Sequence, residues 1–289
     1  MSTLYVVATP IGNLKDISER AIATLASSDL IAAEDTRHTL KLLTHYDIRK
    51  PLVSYHKFNE RSRAESVIQR MIDANISVTL VSDAGTPCIS DPGHELVRAA
   101  REAGITVIGI PGPSAITTAL SVSGFRIDSF AFYGFLPKER IDRERMLERI
   151  KKSDAAVAIL YEPARSIREL AEMLASVFPG SRACFCDDIS KIHEKYYCGA
   201  ITDVSAALAH DENALLGEYT VILEIGDRAE EPPQPQYCTE ALLCDWLVKN
   251  GGTLSDAVTA VAVQHRLSKR DVYAASLKLK NLLEKKERE

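Results

Sequence analysis

Short runs of consecutive apolar residues alternate, over the first 125 positions, with longer stretches in which apolar side chains recur every third or fourth residue. The runs at 4–8, 30–33, 52–55, 78–81 and 106–110 are too short for helices. They are also too uniformly apolar for strands with one wet face, so they predict strands buried on both sides. Between them the helical period takes over. Asp16 and Glu19 form a capping pair for a helix whose inner face carries Ala21, Ile22 and Leu25. Further helices are expected at 36–45, at 60–74 with Val67, Ile68, Met71 and Ile72 turned inward, and at 93–103. This alternation predicts an α/β fold with a doubly wound parallel sheet of about five strands.

The pattern changes near residue 126. Strands expected at 130–133, 156–161, 183–186, 195–198 and 219–225 alternate with helices at 139–152, 163–177 and 202–210, and connections of unequal length point to a mixed sheet. The segment 226–236, GDRAEEPPQPQ, is charged and then proline-rich, as a linker is. Beyond it the pattern is helical. Thr253 can cap a helix with Leu254, Val258 and Val261 on one face. Ser268 and Asp271 can cap another with Val272, Ala275, Leu279 and Leu282 inward, in a helix-turn-helix-like arrangement. The expected organisation is therefore an α/β domain at 1–125, a second at 126–226, a linker at 227–238 and a helical tail at 239–289.

Composition narrows the function classes. A chain of 289 residues that is 46% hydrophobic can bury a large core, and its formal charge of −5 excludes a uniformly basic coat. The tail departs from that average: from Gln236 onward there are nine basic and seven acidic residues. Lys269 and Arg270, with Lys278 and Lys280, suit phosphate contacts; a solvated helical hairpin is the plainer alternative. The longest apolar run, 155–161, falls far below the roughly 18 residues that cross a bilayer, and nothing resembles a signal peptide. Six scattered cysteines fit a reducing, cytoplasmic setting. Cys184, Cys186, His193 and Cys198 lack the paired knuckles of a zinc site, and alternation along a strand accounts for the first two, so no metal is expected.

Three loops at strand ends carry the candidate chemistry, because open α/β sheets bind ligands at the carboxyl ends of their strands. The first holds Pro10, Ile11, Gly12 and Asn13. The second runs through Asp83, Gly85 and Thr86 to a further turn at 91–93, with Asp83 expected to point into the crevice. The third turns through 110–113 into a helix at Ser114 and Ala115, whose hydroxyl and terminal amides suit a carboxylate. No loop is a GxGxxG or a P-loop, which disfavours dinucleotides and triphosphates.

The segments TPIGN (9–13), AAEDTRHT (32–39), SDAGTP (82–87) with SDPG (90–93), PGPSA (111–115), GFLP (134–137) and GEYTVILE (217–224) resemble the ribosomal RNA small subunit methyltransferase I family. That family lies within the wider tetrapyrrole-methylase-like superfamily, and the likeness spans essentially the whole chain. The resemblance implies S-adenosylmethionine held between two α/β domains, a homodimer, and 2′-O-methylation of a cytidine in the decoding region of small-subunit ribosomal RNA. It implies that Pro10, Ile11, Gly12, Asp83, Gly85, Thr86, Ser114, Ala115 and Tyr161 line the cofactor pocket, with Leu215 closing over the adenine. A ribose hydroxyl is a weak acid and needs a base or a polarising group. Asp35 is the leading candidate, Glu34 the next, and capping of the helix at 36–45 is the structural alternative for both. Asn13, Arg37, His38, Arg165, Lys191, Lys269 and Arg270 are the candidate RNA contacts.

Two departures stand out. Tyr161-Glu162-Pro163-Ala164-Arg165-Ser166 replaces the family's Tyr-Glu-Ser-Pro-His-Arg, and Asp187-Asp188-Ile189-Ser190-Lys191 replaces Arg-Glu-Leu-Thr-Lys, reversing a charge where RNA is expected. These departures keep two alternatives open: a superfamily methyltransferase acting on a tetrapyrrole or modified protein side chain, and a ribosome-binding factor without chemistry.

Overall fold

The structure, a computed structural model, describes residues 2–225, 238–265 and 267–286. The expected linker and the side chain of Leu282 lie outside that description. Two compact units are present, Met1–Gly226 and Asp227–Glu289.

The first unit contains two five-stranded sheets. In the first sheet, β1 (Thr3–Val7), β2 (Leu30–Ala33), β3 (Leu52–Ser54), β4 (Val78–Val81) and β5 (Thr106–Ile110) run parallel in the order β3-β2-β4-β1-β5. Every residue of β2 and β4 is buried, which is why neither shows a polar alternation. The helices α1 (Glu19–Ser27), α2 (Thr36–His45), α3 (Glu60–Ala74) and α4 (His94–Glu102) follow the first four strands.

Two expectations are corrected here. The cap of α1 is Ser18, whose hydroxyl accepts from the Ala21 amide; Asp16 lies in a preceding 3-10 turn and meets the Ser190 hydroxyl. Ile72 is 51% exposed, because Ala64, Val67, Ile68 and Met71 already fill the inward stripe of α3 and position 72 lies a further 100° round the helix.

The second sheet comprises β6 (Phe130–Phe135), β7 (Val157–Pro163), β8 (Arg182–Asp187), β9 (Lys195–Ala200) and β10 (Glu218–Glu224), in the order β6-β7-β10-β8-β9. It is mixed, as the unequal connections required: β6 and β7 are parallel and the other neighbours antiparallel. On one face lie α6 (Arg140–Lys151), α7 (Ile167–Val177) and α8 (Ile201–His210), around Leu160, Phe185 and Val221. The other face receives α5 (Ala115–Val122), which leaves the first sheet and buries Ala119 and Leu120 against Val157, Ile159 and Ile222. One helix thus fixes the two sheets in a common core.

Cys184 and Cys198 face each other across β8 and β9 and are joined as a disulfide, with Cα atoms 4.0 Å apart. Linear spacing hid this pair, since only the antiparallel register brings them together, and the bond runs against the reducing setting expected from scattered cysteines.

The described residues of the second unit form three helices, α9 (Thr239–Asn250), α10 (Leu254–Gln264) and α11 (Lys269–Lys286), packed around Leu243, Val258, Val261 and Val272. Thr253 and Asp256 form a reciprocal capping box at α10. Among the described residues no helix is long and apolar enough to cross a membrane.

Candidate active site

Parallel strands deliver all their following loops to one edge of the sheet, and here the loops after β1, β4 and β5 meet. Thr9 and Gly85 exchange backbone hydrogen bonds of 2.9 and 3.0 Å, tying the first loop to the second. A side chain at Gly12 would stand 2.6 Å from the Lys191 Cγ, so the glycine lets the second sheet close against the first loop. Between them lies a cavity of about 450 Å³, a usual size for a small-molecule site.

Of the sequence-predicted residues, Ile11, Gly85, Thr86, Ser114, Ala115, Tyr161, Arg165 and Lys191 line this cavity. Gly12 and Asn13 line an adjoining hollow, where Asn13 also accepts from the Lys15 amide. Ser114 opens α5 without a side-chain capping bond. The first-turn amides of α5 thus receive no side-chain cap, and Ser114 and Ala115 lie at the cavity wall. Lys191 pairs with Asp188 at 2.7 Å.

Pro10, Asp83 and Leu215 are not among the lining residues. Asp83 instead ties the β4 loop to the β2 loop: its Oδ1 accepts from the Asp35 amide at 3.0 Å, and its own amide donates to Glu34 at 3.4 Å. Leu215 ends a 3-10 turn that carries it outward to 42% exposure, so Tyr219 and Thr220 at the start of β10 form that wall.

Asp35 also makes the contacts of its structural alternative, the helix cap. Asp35 is the N-cap of α2, accepting from the Arg37 amide at 2.8 Å, and the Arg37 guanidinium reaches the same carboxylate at 3.2 and 2.8 Å. Those hydrogen bonds hold its carboxyl far below the usual carboxylate range. The pair also engages Arg37, which is otherwise exposed beside exposed His38 at the start of α2. Glu34 is different: burial raises its carboxyl, against the opposing hydrogen bond from the Asp83 amide.

Asp91, Glu162, Asp188 and Glu218 line the cavity; Glu162 and Asp188 are held in ion pairs, and Asp91 is one the sequence had offered only as a turn residue. Burial, and then the charge of Glu34, push Asp91 up to about 6, with the Ser82 hydroxyl acting in the opposite sense. Its neighbour Tyr161 is pushed up to about 12, by burial and then by the charge of Asp91. Asp91 is presented by a constrained turn in which Cys88 and Ser90 both adopt positive φ, 73° and 64°. Gly134 of the GFLP segment presses on that turn; its own φ is 64°, and a Cβ there would sit 3.2 Å from the Ser90 Oγ. The available signal was an aspartate set directly before a proline and a glycine in the long loop after β4.

The two family departures resolve differently. Glu162 is buried in an ion pair with Arg143 at 2.9 Å, while Arg165 reaches the cavity. Asp187 is only 7% exposed, and burial, followed by the charge of Asp188, pushes its carboxyl up to about 6. The side chain at this position is therefore turned into the protein rather than presented on its surface. Lys269 and Arg270 are exposed at the start of α11 in the second unit.

The model of the Tetrapyrrole (Corrin/Porphyrin) Methylases matches residues 3–205. The ribosomal RNA small subunit methyltransferase I of Halalkalibacterium halodurans is 38% identical over 273 residues, covering 94% of this chain and 93% of that protein. The protein of the same name from Synechocystis sp. is 38% identical over 281 residues, covering 96% and 99%. Among solved structures, the uroporphyrin-III C-methyl transferase of Thermus thermophilus complexed with S-adenyl homocysteine superposes with a TM-score of 0.52 at 14% identity, covering 77% of this chain and 98% of that one.

Proposed function

Because the chain belongs to the ribosomal RNA small subunit methyltransferase I family, we propose that it transfers a methyl group from S-adenosylmethionine to a cytidine 2′-hydroxyl in the decoding region of small-subunit ribosomal RNA. The observation that carries this reading is the cavity at the strand ends, which combines a cofactor-sized space with a proton-accepting carboxylate on its wall.

S-adenosylmethionine fits the residues present. Ile11, Ile189 and Phe135 offer apolar surface to an adenosine. Ser114 and the uncapped amides of α5 suit the amino-acid carboxylate. Asp91 and Asp188 favour a cationic ligand over an anionic one. When bound, the donor supplies an already activated methyl group, so the protein's work is alignment and removal of a proton. Asp91 receives the hydroxyl proton of the ribose. Burial that raises its proton affinity serves this role, since a base poised near working pH accepts protons best. Arg165 and Lys191 at the cavity, with Lys269 and Arg270 on the tail, hold phosphates.

The reading includes a cytoplasmic enzyme working as a homodimer. Exposed Ile108 on edge strand β5, Val122 on α5 and Phe130 on edge strand β6 are apolar surface that a second copy would cover. Sedimentation should then find twice the chain mass. The function itself is tested by mapping ribose methylation in small-subunit RNA from cells with and without the gene. Loss of a single decoding-region cytidine mark supports the reading, and an unchanged map overturns it.

A further inference from the structure

The loop after β3 contains the most exposed large apolar side chain among the described residues, Phe58, at 97%. Scattered surface apolar residues need no explanation, but this one has unusual company. Lys57, Arg61 and Arg63 surround it in sequence, all exposed, and none forms a salt bridge among the described residues. In a chain of net charge −5 that is a local concentration of exposed cations around an aromatic ring, with Arg61 also acting on Glu95.

The loop is also held in place. The His56 amide donates to the Asn59 Oδ1 at 2.8 Å, and the Asn59 Nδ2 donates to the Ser54 carbonyl at 3.3 Å. The Asn59 amide returns to the His56 carbonyl at 2.9 Å. The Phe58 ring sits edge-on to His56, 6.1 Å between centroids. An exposed aromatic on a pre-shaped loop loses little conformational entropy when something stacks on it.

Its position ties it to the cavity. β3 lies parallel to β2 and β4, so its loop emerges on the same sheet edge as Asp91. The connection is direct: Glu60, two residues beyond Phe58, is buried and accepts from the Gly93 amide at 2.8 Å and the Glu95 amide at 3.2 Å. The segment bearing Phe58 is therefore bonded to the residues that immediately follow Asp91 and Pro92.

We propose that Phe58 is a stacking platform for an unpaired base of the substrate RNA, with Lys57, Arg61 and Arg63 holding the phosphates on either side. This rests on the RNA-methylation reading above. Base-on-aromatic stacking is sequence-tolerant, and the flanking cations add polyanion contacts to those of Arg165 and Lys191 at the cavity. The charge argument selects RNA over a protein partner, since a protein surface offers no regular row of negative charge to three exposed cations.

The test uses the full-length protein, a single-stranded RNA oligomer containing the target cytidine, and small subunits lacking the mark. Phe58→Ala should weaken RNA binding by about 5- to 100-fold and raise KM with kcat nearly unchanged, while Phe58→Trp retains affinity. Binding of S-adenosylhomocysteine by calorimetry, and the thermal midpoint, should match wild type. The indole of Phe58→Trp should be quenched on RNA addition, against the wild-type background of Trp246 alone. Lys57→Ala and Arg63→Ala should each lower the salt slope of binding by about 0.7. Wild-type RNA affinity in Phe58→Ala, with wild type itself active, overturns the platform; so does a change in sedimentation without a change in RNA affinity, which would make the ring a protein contact. A wild-type protein that neither binds nor methylates RNA sinks the underlying function instead.

Discussion

Replacing Asp91 by asparagine removes a proton acceptor while preserving the size and most of the polarity of the turn. With the carboxyl pushed up to about 6, the group is mostly ionised at pH 7.5 and mostly protonated at pH 5. The kcat/KM of the wild type should accordingly fall about tenfold for each unit below about pH 6 and level off above it. Glu34 contributes to the shift, so the limb belongs to the pair as one system, and Glu34→Gln should move it to lower pH. Asp91→Asn should lose the limb altogether and run about 10²–10⁴-fold slower at its plateau. Stability should move the other way. The folded-state value lies above the ordinary 3.8, so the fold disfavours the ionised form, and stability is lost as pH rises from about 4 through about 6. Asparagine avoids that loss, on the order of 1–2 kcal/mol once the solvent reaching a half-buried carboxylate is allowed for. The thermal midpoint at pH 7.5 should then rise, by about 2–4 °C per kcal/mol, with little difference from wild type at pH 4. The assays are a pH–rate series on unmethylated small subunits and paired thermal melts, with S-adenosylhomocysteine affinity as the control for an intact cavity. An asparagine variant that keeps the pH-6 limb, or turns over within tenfold of wild type, would remove Asp91 from the chemistry.

Asp35→Asn should behave in the opposite way. Asparagine caps a helix as well as aspartate does, and the lost partner is an exposed arginine, so rate and melting midpoint should stay within about threefold and about 2 °C of wild type. Arg143→Ala strands the buried Glu162 carboxylate behind Tyr161, and urea unfolding should register a loss of about 3–5 kcal/mol; a loss under 1 kcal/mol would mean that water reaches the pair. A chain ending at Gly226 should fold and bind S-adenosylhomocysteine, because the first unit is compact by itself, but its RNA binding should show a shallower salt dependence than the full chain. Equal slopes would make Lys269 and Arg270 bystanders.

The fold was legible because burial on both faces leaves a plain signature. Val78–Val81 and Leu30–Ala33 can hardly be anything but central parallel strands, and both observed ranges coincide with the apolar runs. Ile72 misled because a helical stripe read from sequence has no sharp edge, and only the width of the contact with the sheet decides which flank is wet. Cysteine pairing was illegible for a related reason: the Cys184–Cys198 contact exists only in the antiparallel register of β8 and β9.

The site divides along the same line. Gly85, Thr86, Ser114 and Ala115, expected at the pocket from their loops and the family resemblance together, line the cavity. Residues whose role depends on protonation could not be placed in this way, because proton affinity is a property of surroundings. Asp35 and Asp91 are the same side chain at two strand ends of one sheet. A guanidinium and a helix amide hold the first ionised under nearly all conditions, while burial and a second carboxylate hold the second near neutrality. The AEDTRHT segment contains the arginine that pairs with Asp35, two residues away. The group that enables Asp91 is Glu34, fifty-seven residues earlier in the chain and brought near by the β2–β4 pairing. A local motif could therefore reveal the carboxylate that is occupied, and only the sheet order could reveal the one that is free to accept a proton.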